Sequence, residues 1–261
     1  MPTDSRRVAV ITGASSGIGA ALARRLGHGG FRLVLAARRP DALRAVCADA
    51  GAECRSVVAD MTRRADVERL RDEAIAAFGA IDVWVNNAGR GINASVLELT
   101  DDQFDLMMAV NVKSALYGMQ VIVPHFKERG RGHVINVSSF LARVPLATYR
   151  SAYNAAKAAL NALTANLRMD LRREYPAIHV SLVMPGMVST EFARSALGGT
   201  PAVTWVASGR GASPTVQTAD DVAAAIESLI ASPREELYTQ PGQSETVVRY
   251  LQDVGAFERG P

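Results

Sequence analysis

Ser139, Tyr153 and Lys157, in the stretch 138–157 (SSFLARVPLATYRSAYNAAK), are side chains of the types that move a proton to or from a carbon-bound oxygen. Tyr153 and Lys157 are spaced i, i+4, which on a helix puts both on one face within reach of each other. An ordinary tyrosine, with a pKa of about 10, is a poor proton donor or acceptor at neutral pH. An ammonium beside it stabilises the phenolate and draws that pKa toward the range where proton transfer is efficient. Ser139 follows the apolar run HVINVS, so a strand ending there would deliver its hydroxyl to the same place. A chance meeting of Tyr and Lys on a solvated helix face explains the pair alone equally well, and the decision lies in the elements that would have to position it.

From Thr148 to Pro176 the chain holds no Gly or Pro and is rich in Ala, Leu, Asn and Arg, which predicts a helix carrying Tyr153 and Lys157. Upstream, Arg7–Thr12 (RVAVIT) reads as a strand that runs into Gly13-Ala-Ser15-Ser16-Gly17-Ile18-Gly19 and then into AALARRL, a helical pattern. Strand, glycine turn and helix start together form a phosphate-binding unit: glycines let the backbone approach a pyrophosphate, and the helix end supplies free N–H groups. A second strand, Phe31–Ala37, ends at Arg38-Arg39. An acid at that position binds a ribose 2′-OH and an arginine a 2′-phosphate; here no acid is present. A helix from Asp41 and a third strand, Glu53–Ala59, lead to Asp60 and Met61, with Asp60 placed to touch an adenine, followed by a helix from Thr62 to about Phe78. A fourth strand, Ile81–Val85, ends at Asn86-Asn87-Ala88-Gly89, small and amide residues that suit a backbone lying against a ligand. An ordinary Asn/Gly turn is the alternative there.

Thr100 and Gln103 read as a capping box opening a helix that runs to Lys127, interrupted around Asn111. Asn111 either has a role at the site or satisfies its own backbone. Strands are expected at His133–Ser138 and His179–Met184, the latter closed by Pro185-Gly186. The segment 191–217 is irregular and long enough to be a functional lid, and its Phe192, Leu197, Val203, Trp205 and Val206 suit an apolar substrate. Thr218 caps a last predicted helix through Ala231, and Glu236–Thr239 reads as an edge strand. The alternation of strand and helix predicts an α/β fold, one doubly wound parallel sheet flanked by helices on both faces, with 1–261 as a single Rossmann-like domain.

Composition sets further bounds. At 261 residues, 48% hydrophobic and 21% charged, the chain is ordinary for a globular protein. The polar N-terminus and the lack of an apolar stretch near 18 residues predict no signal segment and no membrane span, hence a cytoplasmic location. Cys47 and Cys54 are the only cysteines, with no zinc-type spacing, and are expected as reduced thiols with no metal. The net charge of +3 comes from arginine doublets scattered among acids, which argues against a nucleic-acid partner.

Taken in order, these residues resemble the short-chain dehydrogenase/reductase family over residues 6 to about 190. Its motif T-G-x-x-x-G-x-G falls on Thr12, Gly13, Gly17 and Gly19, its N-N-A-G on Asn86–Gly89, and its helix asparagine on Asn111. Its serine falls on Ser139, its Y-x-x-x-K on Tyr153 and Lys157, and its P-G turn and threonine on Pro185, Gly186 and Thr190. The resemblance implies hydride transfer between NAD(P) and a carbonyl or alcohol of a small molecule, with Tyr153 as acid/base and Ser139 bonded to the substrate oxygen. It implies that Lys157 holds the nicotinamide ribose and lowers the tyrosine pKa, that Asn111 positions a water, and that Pro185, Gly186, Val188 and Thr190 line the nicotinamide. It also implies a homodimer or homotetramer. NADP(H) is expected over NAD(H) from Arg38, and Ser138 stands as a rival to Ser139, which lies 14 residues before Tyr153. A nucleotide-binding sensor without turnover is the alternative from another class, disfavoured because it has no need of the Asn–Ser–Tyr–Lys set.

Overall fold

The computed structural model describes residues 6–51, 53–194, 196–198 and 216–259. The run VAVIT forms β1 (Val8–Thr12), buried along its whole length, as expected of a strand covered on both faces. The glycine turn leads into α1 (Gly17–His28), then β2 (Arg32–Ala37), α2 (Pro40–Asp49), β3 (Cys54–Val58), α3 (Arg64–Phe78) and β4 (Val83–Asn86). The α3 helix starts two residues later than Thr62 because Asp60 Oδ1 accepts from both the amide and the hydroxyl of Thr62, at 2.9 and 2.7 Å, holding that turn out of the helix. Next comes α4 (Asp101–Met108), opened by the expected Thr100/Gln103 capping box. It passes through one wider turn, Ala109–Lys113, into α5 (Ser114–Arg129). That turn is the interruption expected around Asn111.

The chain continues through β5 (Gly132–Val137), α6 (Ser151–Leu171), β6 (Ile178–Met184), β7 (Val188–Ser189), α7 (Glu191–Arg194) and β8 (Gln217–Thr218). It ends with α8 (Ala219–Ala231), β9 (Glu236–Tyr238), α9 (Gln243–Gln252) and α10 (Val254–Arg259). Seven strands pair in the order β3-β2-β1-β4-β5-β6-β9, all parallel. The order reverses between β1 and β4, and ligands in such sheets bind outside the strand ends at that reversal. Helices α1, α2 and α8 pack one face through Leu22, Leu26, Leu43 and Ile226, and α3, α5 and α6 the other through Leu70, Ile122, Phe126 and Leu171. The doubly wound α/β fold read from the sequence is the observed one, with β9 as its edge strand.

Three expectations change. Cys47 and Cys54 are joined by a disulfide rather than held as free thiols. Gly51, at φ 64°, reverses the chain between α2 and β3 and brings the two Cα atoms to 5.5 Å, within bridging distance. Nothing in the seven-residue spacing encodes that approach. Second, α4 and α5 taken through the wider turn make a run, Asp101–Arg129, long and apolar enough to cross a membrane by length and composition. Its Met107, Met119, Ile122 and Phe126 are buried in the cores described here. Third, most of the expected lid, including Val203, Trp205 and Val206, lies outside the described residues; Phe192 and Leu197 pack on a small cluster around Tyr153 and Ile92.

Candidate active site

A cleft of about 1490 Å³ opens at the carboxyl ends of the strands, around the reversal between β1 and β4. It exceeds the roughly 300–1,000 Å³ usual for one small ligand, leaving space for a dinucleotide together with a substrate. One end is floored by the glycine turn. Gly13 sits at φ 66° and a Cβ there would lie 2.8 Å from the Ala88 Cα; Gly17 sits at φ 56°. Ser16 precedes α1 without capping it by its side chain, so the first-turn N–H groups remain available to an anion. Ser15, Ser16, Ile18, Arg38, Asp60 and Met61 all border this end. Gly19 does not: it is buried in α1, where a Cβ would meet the Asn87 Nδ2 at 2.6 Å, so its smallness serves packing. The residues present thus fit a dinucleotide phosphate cradle.

Asn87, Ala88 and Gly89 line the middle of the cleft. Thr12 fastens them to the glycine turn: its Oγ1 accepts from the amides of Asn87 and Ala88 at 3.0 and 3.1 Å and donates to the Val85 carbonyl. Behind Gly89 stands Asn111. It is buried, accepts from the Arg90 amide at 3.2 Å, and donates to the Arg90 and Met107 carbonyls at 2.9 and 3.2 Å. Asn111 is therefore not among the residues lining the cleft; in this geometry it clamps the loop that is. Val188 and Thr190 border the same region with Pro185 and Gly186.

At the other end, β5 and α6 bring Ser139, Tyr153 and Lys157 to one wall. The two serines, adjacent in sequence, have different surroundings. Ser138 is turned inward, donating to the Asn161 Oδ1 at 2.6 Å and the Lys157 carbonyl at 3.4 Å. Ser139 begins the loop, its Oγ accepting from the Leu141 amide at 3.2 Å. Lys157 is buried, with Nζ donating to the Val137 carbonyl at 2.8 Å and lying 5.9 Å from the Tyr153 ring centre. Burial pushes the Tyr153 phenol up; the Ser139 hydroxyl and then the Arg150 charge pull it the other way. The downward pull here comes from Ser139 and Arg150 rather than from Lys157, whose own pKa burial pushes down to about 8.

That depression has a thermodynamic consequence. Between about pH 8 and the ordinary lysine value near 10.4, the unfolded chain holds a proton that folded Lys157 has lost, so stability rises with pH across that window. The gain should be about 3 kcal/mol at most. Chemical denaturation of wild type and Lys157→Met at pH 8 and pH 10 reads it: the wild-type rise should be absent in the variant, and an equal rise in both would contradict the assignment.

The cleft also holds residues that the sequence reading named without a role or did not name. Arg39, although exposed, lies against the glycine turn: its guanidinium donates to the Ser16 Oγ at 2.8 Å and the Ser15 Oγ at 3.2 Å, and lies 3.5 Å from Glu191. Arg150, just before α6, places its guanidinium beside Tyr149 and Phe192. A doublet of arginines after β2 and a cation three residues before Tyr153 were the available signals. Gln240, Arg249 and Phe257 from the C-terminal segments also line the cleft, with no motif to announce them.

Comparison with known proteins places this geometry. Residues 7–198 match the family model of the short chain dehydrogenases. An uncharacterized oxidoreductase of Staphylococcus epidermidis is 35% identical over 184 residues, covering 70% of this chain and 79% of the relative. A short chain dehydrogenase/reductase of Burkholderia phymatum, solved with NAD, superposes with a TM-score of 0.85 at 29% identity, covering 97% of this chain and 96% of that one. A metagenomic short-chain oxidoreductase solved with NADP superposes at 0.72 with 32% identity, covering 89% and 96%. The chain belongs to the short-chain dehydrogenase family, oxidoreductases that act on CH–OH and C=O groups with a nicotinamide cofactor.

Proposed function

We propose that this chain is an NADP(H)-dependent reductase of a carbonyl on a largely apolar small molecule, with Tyr153 as the acid/base. The observation that carries the reading is the opening of Ser139, Tyr153, Lys157 and the glycine turn onto one cleft. When bound, the nicotinamide supplies or accepts the hydride. Tyr153, whose phenol burial pushes further toward the protonated form, is placed to give its proton to the carbonyl oxygen in reduction and to take it back in oxidation. Ser139 donates to the same oxygen as charge develops on it. Lys157, anchored on the Val137 carbonyl, would hold the ribose of a bound cofactor and keeps a positive charge near the phenol. Asn111 acts by fixing the Gly89–Arg90 loop. Apolar walls from Phe140, Leu141, Leu146 and Phe192 support an apolar substrate body. Exposed Val96, Leu97, Phe104 and Leu106 on and before α4 support the homo-oligomer. A spectrophotometric panel of ketones and alcohols with both cofactors tests the function; cofactor binding without turnover of any pair would overturn it.

The cofactor preference rests on the end of β2. Ala37-Arg38-Arg39 offers no acceptor to a ribose diol, whereas guanidinium groups bind a 2′-phosphate through charge-assisted, bidentate hydrogen bonds. Arg38 borders the cleft, and Arg39, already lying on Ser15 and Ser16, adds a second cation at the same place. Relatives solved with NADP and with NAD are compatible with either form. A hydrogen bond to a charged group contributes about 1.5–3 kcal/mol, so kcat/KM should favour NADPH over NADH by about tenfold or more. The double variant Ala37→Asp, Arg38→Ala should move that ratio toward NADH. Equal wild-type values, or no shift in the variant, would refute the preference.

A further inference from the structure

We propose that Arg150 binds an anionic end of the substrate, so that the carbonyl compounds taken by this cleft carry a carboxylate. The inference rests on the reading of the cleft as a carbonyl-reducing site and adds the class of compound. Arg150 is fixed before the substrate arrives. Its amide donates to the Ala147 carbonyl at 2.9 Å, its carbonyl accepts from the Asn154 amide at 2.9 Å, and it pairs with Ala94. The half-buried side chain lines the Tyr153 end of the cleft. Its guanidinium lies 5.8 Å from the ring centres of both Tyr149 and Phe192, and Phe192 in turn meets Tyr153 edge-on at 5.5 Å. A substrate lying along Phe192 would therefore reach Tyr153 with one end and Arg150 with the other.

Among the described residues Arg150 shares the want of a counter-charge with Arg38, Arg90 and Arg249 of the same cleft, and of these four it is the one whose guanidinium lies by Phe192, the ring that meets Tyr153. Among the described residues no carboxylate comes within ion-pair distance of Arg150, whereas Arg39 in the same cleft reaches Glu191. Among the described residues the acids bordering the cleft are Asp60 and Glu191. Asp60 accepts from Thr62 near the glycine turn, and Glu191 faces Arg39. Stacking on rings explains little of the placement, since 5.8 Å is close to the outer limit, about 6 Å, for a cation over a ring. Arg90 also lines the cleft and adds to a positive field that concentrates anions. A guanidinium fork matches a carboxylate bidentately, a geometry lysine lacks. Gly91 makes the arrangement sterically possible: a Cβ there would fall 2.7 Å from the Arg150 Nη1 and 3.0 Å from the Phe192 Cε1.

The test compares acetoacetate and levulinate with their methyl esters as substrates of wild type, Arg150→Ala, Arg150→Lys and Gly91→Ala. Wild type should prefer acid to ester in kcat/KM. That preference should fall by about ten- to a hundredfold in Arg150→Ala, mainly through KM, and by less in Arg150→Lys. Gly91→Ala, which displaces the guanidinium without removing its charge, should also lower it. A second readout needs no turnover: calorimetric titration of the NADP-loaded enzyme should show hexanoate binding, no hexanamide binding, and loss of the hexanoate signal in Arg150→Ala. Reduction of neutral ketones with no acid preference, or hexanoate binding unchanged in Arg150→Ala, would overturn the anion site and leave the carbonyl reductase reading standing. Arg150-dependent hexanoate binding with no carbonyl turned over would uphold the anion site while the reductase reading falls.

Discussion

Tyr153→Phe is expected to lower kcat by about 10²–10⁴, the usual contribution of a positioned acid or base, while cofactor affinity stays within a few-fold of wild type. The substitution removes one hydroxyl and leaves the ring in place. That ring still packs edge-on against Phe192, and the Lys157 Nζ keeps its bond to the Val137 carbonyl, so neither the wall nor the cation needs to move. Only the transferable proton is lost. Steady-state kinetics together with a fluorescence titration of NADPH separate the two effects; a variant with near-normal kcat would remove Tyr153 from the chemistry.

The two serines should then part company. Ser139→Ala is expected to cost about 10²–10³ in kcat, the penalty for losing one preorganised donor to a developing oxyanion. Ser138→Ala should leave kcat close to wild type and lower stability instead. It strips the 2.6 Å donor from the buried Asn161 Oδ1, and an unsatisfied buried polar atom costs about 1–3 kcal/mol. Denaturant midpoints and kcat measured on both variants decide the matter. The opposite ranking in kcat would transfer the oxyanion role to Ser138.

What the sequence made legible was local. The strand–glycine turn–helix at Val8–His28, the capping box at Thr100 and the helix cap at Thr218 are written in contiguous residues, and each formed where expected. The strand–helix alternation gave the doubly wound sheet, because parallel neighbours require a crossover between them. What escaped depends on residues far apart in the chain or on side-chain direction. The Cys47–Cys54 bridge follows from the fold of α2 back against β3. Arg39 could be placed only once β2 and the glycine turn were known to be neighbours. Asn111 was legible as a helix irregularity, but its position behind Gly89 follows from the packing of two loops. The pull on the Tyr153 phenol illustrates the same limit. An i, i+4 lysine places a cation on the correct face, yet burial and the carbonyl it binds decide what that cation does.

The central claim, that the cleft passes hydride from the cofactor to a carbonyl carbon while Tyr153 supplies the proton, is tested by reducing a ketone with NADPH deuterated at the transferring carbon. Mass spectrometry of the alcohol should find deuterium on the carbinol carbon for wild type and almost no labelled product for Tyr153→Phe over the same interval. Tight binding of the deuterated cofactor with no label in any product, or equal labelling by wild type and Tyr153→Phe, would contradict it.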